Sequence, residues 1–159
     1  VAACSLIKRE LEGWKICIYG NGELKRELES QIKQDGLSDI IQIYPATDRI
    51  DLVYQQSKCL LFSSRFEGFG MVLIEALSYG VPSMAFSCPC GPRDVIQDNQ
   101  NGLLVQDGDI VAFSRAIKKF ISDESLQEKL SQGAKERARS FYQEDVMKQW
   151  NRLFEDLCK

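Results

Sequence analysis

Short apolar runs alternate with stretches in which apolar residues recur at helical spacing, and the alternation continues along most of the chain. Residues 15–19 read as a strand stopped by Gly20-Asn21-Gly22, and residues 23–34 as a polar helix closed by Asp35-Gly36. Further strands are expected at 40–44, 59–62, 81–86 and 103–105. Helices are expected at 48–56, 70–79 and, briefly, after Gly91-Pro92, where proline suits the first helical position. The remainder reads as helix over 109–122 and 125–130, then as a long segment ending near Leu157. Strands apolar throughout and separated by helices imply a parallel sheet covered on both faces. The expected class is therefore α/β: a Rossmann-like, three-layer αβα domain with a parallel sheet of about five or six strands. Residues 1–159 form one domain in this reading. Val1 opens in what reads as mid-helix, so a fragment of a longer polypeptide is expected.

Composition narrows the partners. With 44% apolar and 27% charged residues the chain has an ordinary globular balance, and its net charge is −3. General attraction to nucleic acid or to an anionic membrane is not expected at that charge. No apolar run approaches the ~20 residues that span a bilayer. The six cysteines show no paired framework. Cys17 and Cys59 fall in expected strands as small hydrophobes, and Cys88-Pro89-Cys90 has neither histidine nor a second cysteine pair beside it. The thiols read as structural in a reducing cytosol, and no metal is expected.

The chemistry concentrates in residues 63–82. Ligands of such sheets lie beyond the carboxyl ends of the strands. There the strand at 59–62 enters a loop, Glu67-Gly68-Phe69-Gly70, that opens the helix carrying Glu75. A helix start offers free backbone N–H groups and the positive end of its dipole to an anion. A diphosphate there would accept from the amides of Phe69, Gly70, Met71 and Val72. Gly68 and Gly70 would allow close approach and positive φ. Glu75 has apolar neighbours on nearly every side, which implies a largely buried helix. Its carboxylate then needs donors, such as the adjacent hydroxyls of a ribose. A narrow wet face, or a cap on a distant amide, is the plainer alternative. Glu67 lies eight residues earlier, about 12 Å away along a continuous helix. That suits gripping two ends of an extended molecule better than cleaving one glycosidic bond. The Gly20-Asn21-Gly22 turn falls short of a dinucleotide fingerprint, because Lys25 occupies the third glycine's place.

Glu67-Gly68-Phe69-Gly70 with Glu75, Ala76 and Gly80-Val81-Pro82 resembles the E-x7-E signature of the large retaining glycosyltransferase family 4. The same order of features runs on both sides, through Ile18 to Glu23 before it and through Gly91 to Ile96 and Asn101 to Val105 after it. The match covers about residues 14–142 and is similar to the C-terminal, donor-binding half of a GT-B enzyme. The resemblance implies a nucleoside-diphosphate sugar, most simply a UDP-sugar, as donor substrate. Glu67 would stand at the reacting sugar, contacting its hydroxyls, and Glu75 would hold the ribose hydroxyls. Backbone of Gly68, Phe69, Gly70, Met71 and Val72 would meet sugar and diphosphate. Gly20 and Gly22 would border the nucleotide, and Ala46 would face the base. It further implies no cofactor, no divalent metal, retention of anomeric configuration and no assigned enzymic nucleophile.

The family's basic diphosphate clamp and its N-terminal acceptor domain lie outside the sequence. The fragment alone is therefore expected to bind donor weakly and to transfer nothing, and neither Arg65 nor Arg93 is assigned the clamp's role. The Ser87 to Pro92 loop looks like a pattern common in bacterial enzymes of surface polysaccharide synthesis. The expected setting is cytoplasmic, with membrane contact, peripheral on the inner face, only through the absent half. Two other readings remain at this stage: half of a nucleotide-sugar epimerase, and a non-catalytic nucleotide-sugar-binding module. In the final segment Phe141, Tyr142, Val146, Trp150, Leu153, Phe154 and Leu157 recur at helical spacing. They read as core packing, with an orphaned interface toward the absent half as the other possibility.

Overall fold

The structure, a computed structural model, describes residues 1–158. In chain order the elements are α1 (Ala2–Ser5), β1 (Ile16–Tyr19), α2 (Lys25–Gln34), β2 (Ile41–Tyr44), α3 (Ile50–Gln56), β3 (Leu60–Phe62), α4 (Met71–Ser78), β4 (Ser83–Phe86), α5 (Pro92–Val95), β5 (Gly102–Val105), α6 (Ile110–Ile121), α7 (Glu124–Ala138), a 3₁₀ turn (Arg139–Phe141) and α8 (Gln143–Leu157). The alternation of strand and helix is the one the sequence pattern implies. Most boundaries agree to within two residues, and one differs outright. The break expected after Leu130 falls instead at residues 139–142, because Leu126, Leu130, Ala134 and Ala138 continue a buried stripe at four-residue spacing through α7.

The strands form two parallel ladders. In one, β1 pairs with β2, Ile16 opposite Ile41 and Tyr19 opposite Tyr44. In the other, β4 is central, with Ser83 opposite both Leu60 of β3 and Gly102 of β5. Only β4 is buried at every position. β1 alternates half-buried with exposed residues, so Cys17 faces solvent, contrary to the expectation of a strand thiol packed inside. Its neighbours on that outer face are Tyr19, which stacks on Tyr44 at 5.1 Å between ring centroids, and exposed Gln42.

Helices cover both sides. On one, Leu11, Ile32, Phe113, Ile117 and Phe120 pack with strand residues such as Ile41, Met84 and Phe86. The Phe86 and Phe113 rings meet at 4.7 Å. On the other, Leu73 and Leu77 of α4, Val95 of α5 and Ala134 and Ala138 of α7 pack with Phe62 and Ala85. A smaller patch joins α3 to α4 through Tyr54, Ala76 and Val81.

Glycines permit close approach both between α7 and a loop and between paired strands of the ladder. A Cβ on Gly133 of α7 would stand 2.0 Å from the Gln100 carbonyl oxygen, and one on Gly102 2.3 Å from that of Ser83. Arg137 of α7 ties down the end of α5. Its Nε donates to the Val95 carbonyl at 3.1 Å and its Nη2 to the Asp94 carbonyl at 2.6 Å, two acceptors that a four-residue helix leaves free.

The last helix departs from the core-packing expectation. No residue of α8 is buried, and Met147, Trp150, Leu153, Phe154 and Leu157 are exposed. Trp150 and Phe154 stack on one another at 5.7 Å. Phe141, just before this helix, does pack against the core, but the stripe along α8 itself has no buried residue.

Candidate functional site

The loops after β1, β2, β3 and β4, together with α4, hold the residues singled out above, and contacts join several of them. The chain leaves β3 and enters α4 through Gly70, whose φ of 79° and ψ of 53° are left-handed. A side chain there would be strained and would also press on Leu73 at 3.1 Å. Gly68 is different: its φ is not positive, and a Cβ on it would meet nothing within 4 Å. Of the two loop glycines, only Gly70 is required by the backbone.

The start of α4 is uncapped. The Leu73 amide donates to the Gly70 carbonyl at 2.9 Å, and no side chain among the described residues bonds the earlier amides. Met71 and Val72 are exposed, so their first-turn N–H groups stand at a solvent-facing helix start. An uncapped helix start is a place where an anion can accept from backbone amides.

The expectation of a largely buried helix is overturned. In α4, Leu73, Ala76 and Leu77 face the core. Met71, Val72, Glu75, Ser78 and the following Tyr79 form an exposed stripe. Helical periodicity turns positions 71, 75 and 78 to one side whatever their polarity. Glu75 is thus a surface carboxylate whose side faces outward along with the open helix start. It has no ion-pair partner among the described residues, and accepts a hydrogen bond from the Tyr54 hydroxyl at 3.3 Å.

Glu67 is half-buried in the same loop. Against that loop lies the turn after β4. Gly91, at φ 77°, sits so close that a Cβ would be 2.7 Å from the Phe69 carbonyl oxygen and 3.4 Å from the Glu67 Cβ. Arg93 donates to the Ser87 carbonyl at 2.9 Å, bracing this turn. Buried Cys88 reports the local charge. Burial first and then Asp107 push its thiol pKa up, with Glu67 adding to the rise and Arg93 opposing it. The turns after β3, β4 and β5 therefore converge. Arg65 adds a further link, its Nη2 lying 3.7 Å from the Cβ position of Gly108.

Two residues carry contacts that the sequence reading did not assign. Asn21, between Gly20 and Gly22, accepts from the Ala46 amide at 3.3 Å through Oδ1. That bond fastens the loop after β1 to the loop after β2 and occupies the Ala46 N–H. The hint was an asparagine between the two glycines of the turn that stops β1. Phe141, in the 3₁₀ turn, meets the Phe69 ring edge-on at 6.3 Å, while the Arg137 guanidinium lies over it at 4.9 Å. No local pattern marks this long-range contact.

An open, glycine-entered helix start beyond a parallel ladder, with Glu67 and Glu75 nearby, lies where α/β domains place their ligands. The chain belongs to the glycosyl transferases group 1 family, whose model matches residues 1–137. It is 34% identical over 140 residues to the amylovoran biosynthesis glycosyltransferase AmsD of Erwinia amylovora, covering 88% of this chain and 39% of that protein. It is 30% identical over 156 residues to a Campylobacter jejuni enzyme named GalNAc-alpha-(1->4)-GalNAc-alpha-(1->3)-diNAcBac-PP-undecaprenol alpha-1,4-N-acetyl-D-galactosaminyltransferase, covering 98% of this chain and 43% of that one. Among solved structures, the pneumococcal O-GlcNAc transferase GtfA in complex with UDP and GlcNAc superposes with a TM-score of 0.85 at 26% identity. That match covers 99% of this chain and 32% of GtfA. The chain thus spans well under half the length of these relatives.

Proposed function

We propose that this chain is the donor-binding domain of a retaining glycosyltransferase. The enzyme would move a sugar from a nucleoside-diphosphate sugar, UDP-linked by preference, to a glycan or lipid-linked acceptor in bacterial surface polysaccharide synthesis. The observation that carries the reading is the uncapped start of α4, entered through left-handed Gly70, with Glu75 on the exposed stripe of the same helix. The diphosphate takes hydrogen bonds from the Met71 and Val72 amides, with Phe69 and Gly70 alongside. Charge-assisted bonds of this kind contribute about 1.5 to 3 kcal/mol each. Glu75 holds the ribose hydroxyls, Glu67 the transferred sugar, and Gly20, Gly22 and the Ala46 backbone border the base.

The relatives' names support the class of acceptor: one enzyme is named for amylovoran synthesis and another for an undecaprenol-linked glycan. The UDP in the pneumococcal complex supports the donor. The family match weighs for transfer over the epimerase and non-catalytic readings. Six unpaired thiols support a reducing, cytoplasmic setting. No helix among the described residues is long and apolar enough to cross a membrane. In this reading any membrane contact, and the acceptor site, belong to the remaining part of the enzyme, and no divalent metal takes part.

The test is titration of the chain with UDP, other nucleoside diphosphates and inorganic pyrophosphate, followed through backbone amide shifts. UDP is expected to move the resonances of residues 68–72 in the presence of a chelator. Glu75→Ala is expected to weaken UDP about ten- to a hundredfold, the worth of one charge-assisted bond to the diol, and pyrophosphate less than about twofold. If no nucleotide moved those amides at millimolar concentration, the donor-site reading would be wrong.

A further inference from the structure

Glu75 is exposed, and a long carboxylate on a helix surface samples several rotamers unless something holds it. What holds it comes from another helix. Tyr54 of α3 is only 5% exposed, packed with Ala76 and Val81. Its ring stacks on Tyr79 at 5.6 Å with an interplanar angle of 21°. The ring is therefore fixed from the α3 and α4 sides together, and its hydroxyl emerges at the base of the exposed stripe. That hydroxyl lies 3.3 Å from Glu75 Oε2 and 3.4 Å from the Val72 carbonyl oxygen. One proton faces two acceptors, one on the carboxylate and one on the first turn of α4.

We propose that Tyr54 is a positioning residue for the nucleotide site: its hydroxyl orients the Glu75 carboxylate relative to the open amides of Met71 and Val72. The inference rests on the donor-site reading above and adds a residue to it. Diol recognition needs both acceptor oxygens of Glu75 set at a defined offset from the diphosphate cradle. The fixed phenol supplies that offset by bonding Oε2, while Oε1 has no hydrogen bond among the described residues. A neutral donor suits the task. Lysine or arginine at this position would pair with the carboxylate and compete with the incoming hydroxyls, whereas a phenol leaves the negative charge in place. Burial, with the Glu75 charge second, pushes the Tyr54 pKa up to about 12, so the donor keeps its proton throughout the neutral range.

Tyr54→Phe isolates the hydroxyl, because the ring and its stacking on Tyr79 remain. The 159-residue chain, Tyr54→Phe, Glu75→Ala and the double variant are each titrated with UDP and with inorganic pyrophosphate. Tyr54→Phe is expected to lose roughly three- to tenfold in UDP affinity, the worth of one hydrogen bond, with pyrophosphate changed less than about twofold. In the Glu75→Ala background the same change is expected to cost nothing further, since the hydroxyl acts through the carboxylate. Scalar couplings of the Glu75 side chain, read without ligand, are expected to pass from one dominant rotamer to an average in Tyr54→Phe. Phenylalanine restoring full UDP binding would reduce Tyr54 to packing and overturn the assignment. So would equal loss for both ligands, an additive double variant, or unchanged couplings. A wild-type chain that binds no UDP overturns the donor site and this role together. A wild-type chain that binds UDP, combined with any of the preceding results, overturns the Tyr54 role alone.

Discussion

Tyr54 also sets a limit on stability in alkali. Its pKa rises from the ordinary 10.0 to about 12, first through burial and then through the nearby Glu75 charge. Between pH 10 and 12 the folded chain keeps a proton that the unfolded chain has released. The native state then binds more protons, so stability falls as pH rises, by on the order of 2 kcal/mol at the top of the interval. Urea midpoints measured across this range are expected to drop more steeply for the wild-type chain than for Tyr54→Phe, which has nothing to ionise. Other residue-level features divide by how far their cause lies along the chain. The Glu67–Glu75 spacing and the need for glycine at position 70 are local, and both are legible in sequence. Burial of α4 was misread because Met71 and Val72 look like core residues by type, while helical phase turns them outward. Tyr54 and Asn21 went unassigned because each acts on a different element from its own, 21 and 25 residues away.

Among the elements, α7 shows packing overruling intrinsic preference. Glycine inside a helix is worse than alanine by about 1 kcal/mol, so Gly133→Ala on an isolated helix would be a gain. Here the new methyl would sit 2.0 Å from the Gln100 carbonyl oxygen, and its neighbour is backbone with little room to yield. The clash wins: Gly133→Ala is expected to destabilise the chain by about 2 to 3 kcal/mol, read as a lowered urea midpoint. Strand and helix order was readable because apolar runs and glycine turns punctuate the chain locally. The division into a two-stranded and a three-stranded ladder was not, since pairing depends on how helices seat between strands far apart in sequence. The break at residues 139–142 was missed for a related reason. It falls in a segment with no proline or glycine to mark it.

At the scale of the whole molecule, α8 stands apart. It buries nothing, yet exposes Trp150, Leu153, Phe154 and Leu157 on one helix. Periodicity announces such a stripe but says nothing about what, if anything, covers it. A chain ending at Tyr142 is therefore expected to unfold within about 1 kcal/mol of the 159-residue chain, because little apolar burial is lost. It is also expected to self-associate less at high concentration, as sedimentation velocity would show, because exposed aromatic stripes promote association. The seam at Gly91 carries a different consequence. With no space for even a methyl group between that turn and the Phe69 carbonyl, the segments at 67–70 and 88–91 meet in one close-packed jaw. Evolution then has few ways to reshape the jaw itself. In the donor site proposed above, altered ligand preference is left to side chains that project clear of the seam, such as Phe66, 85% exposed at its lip.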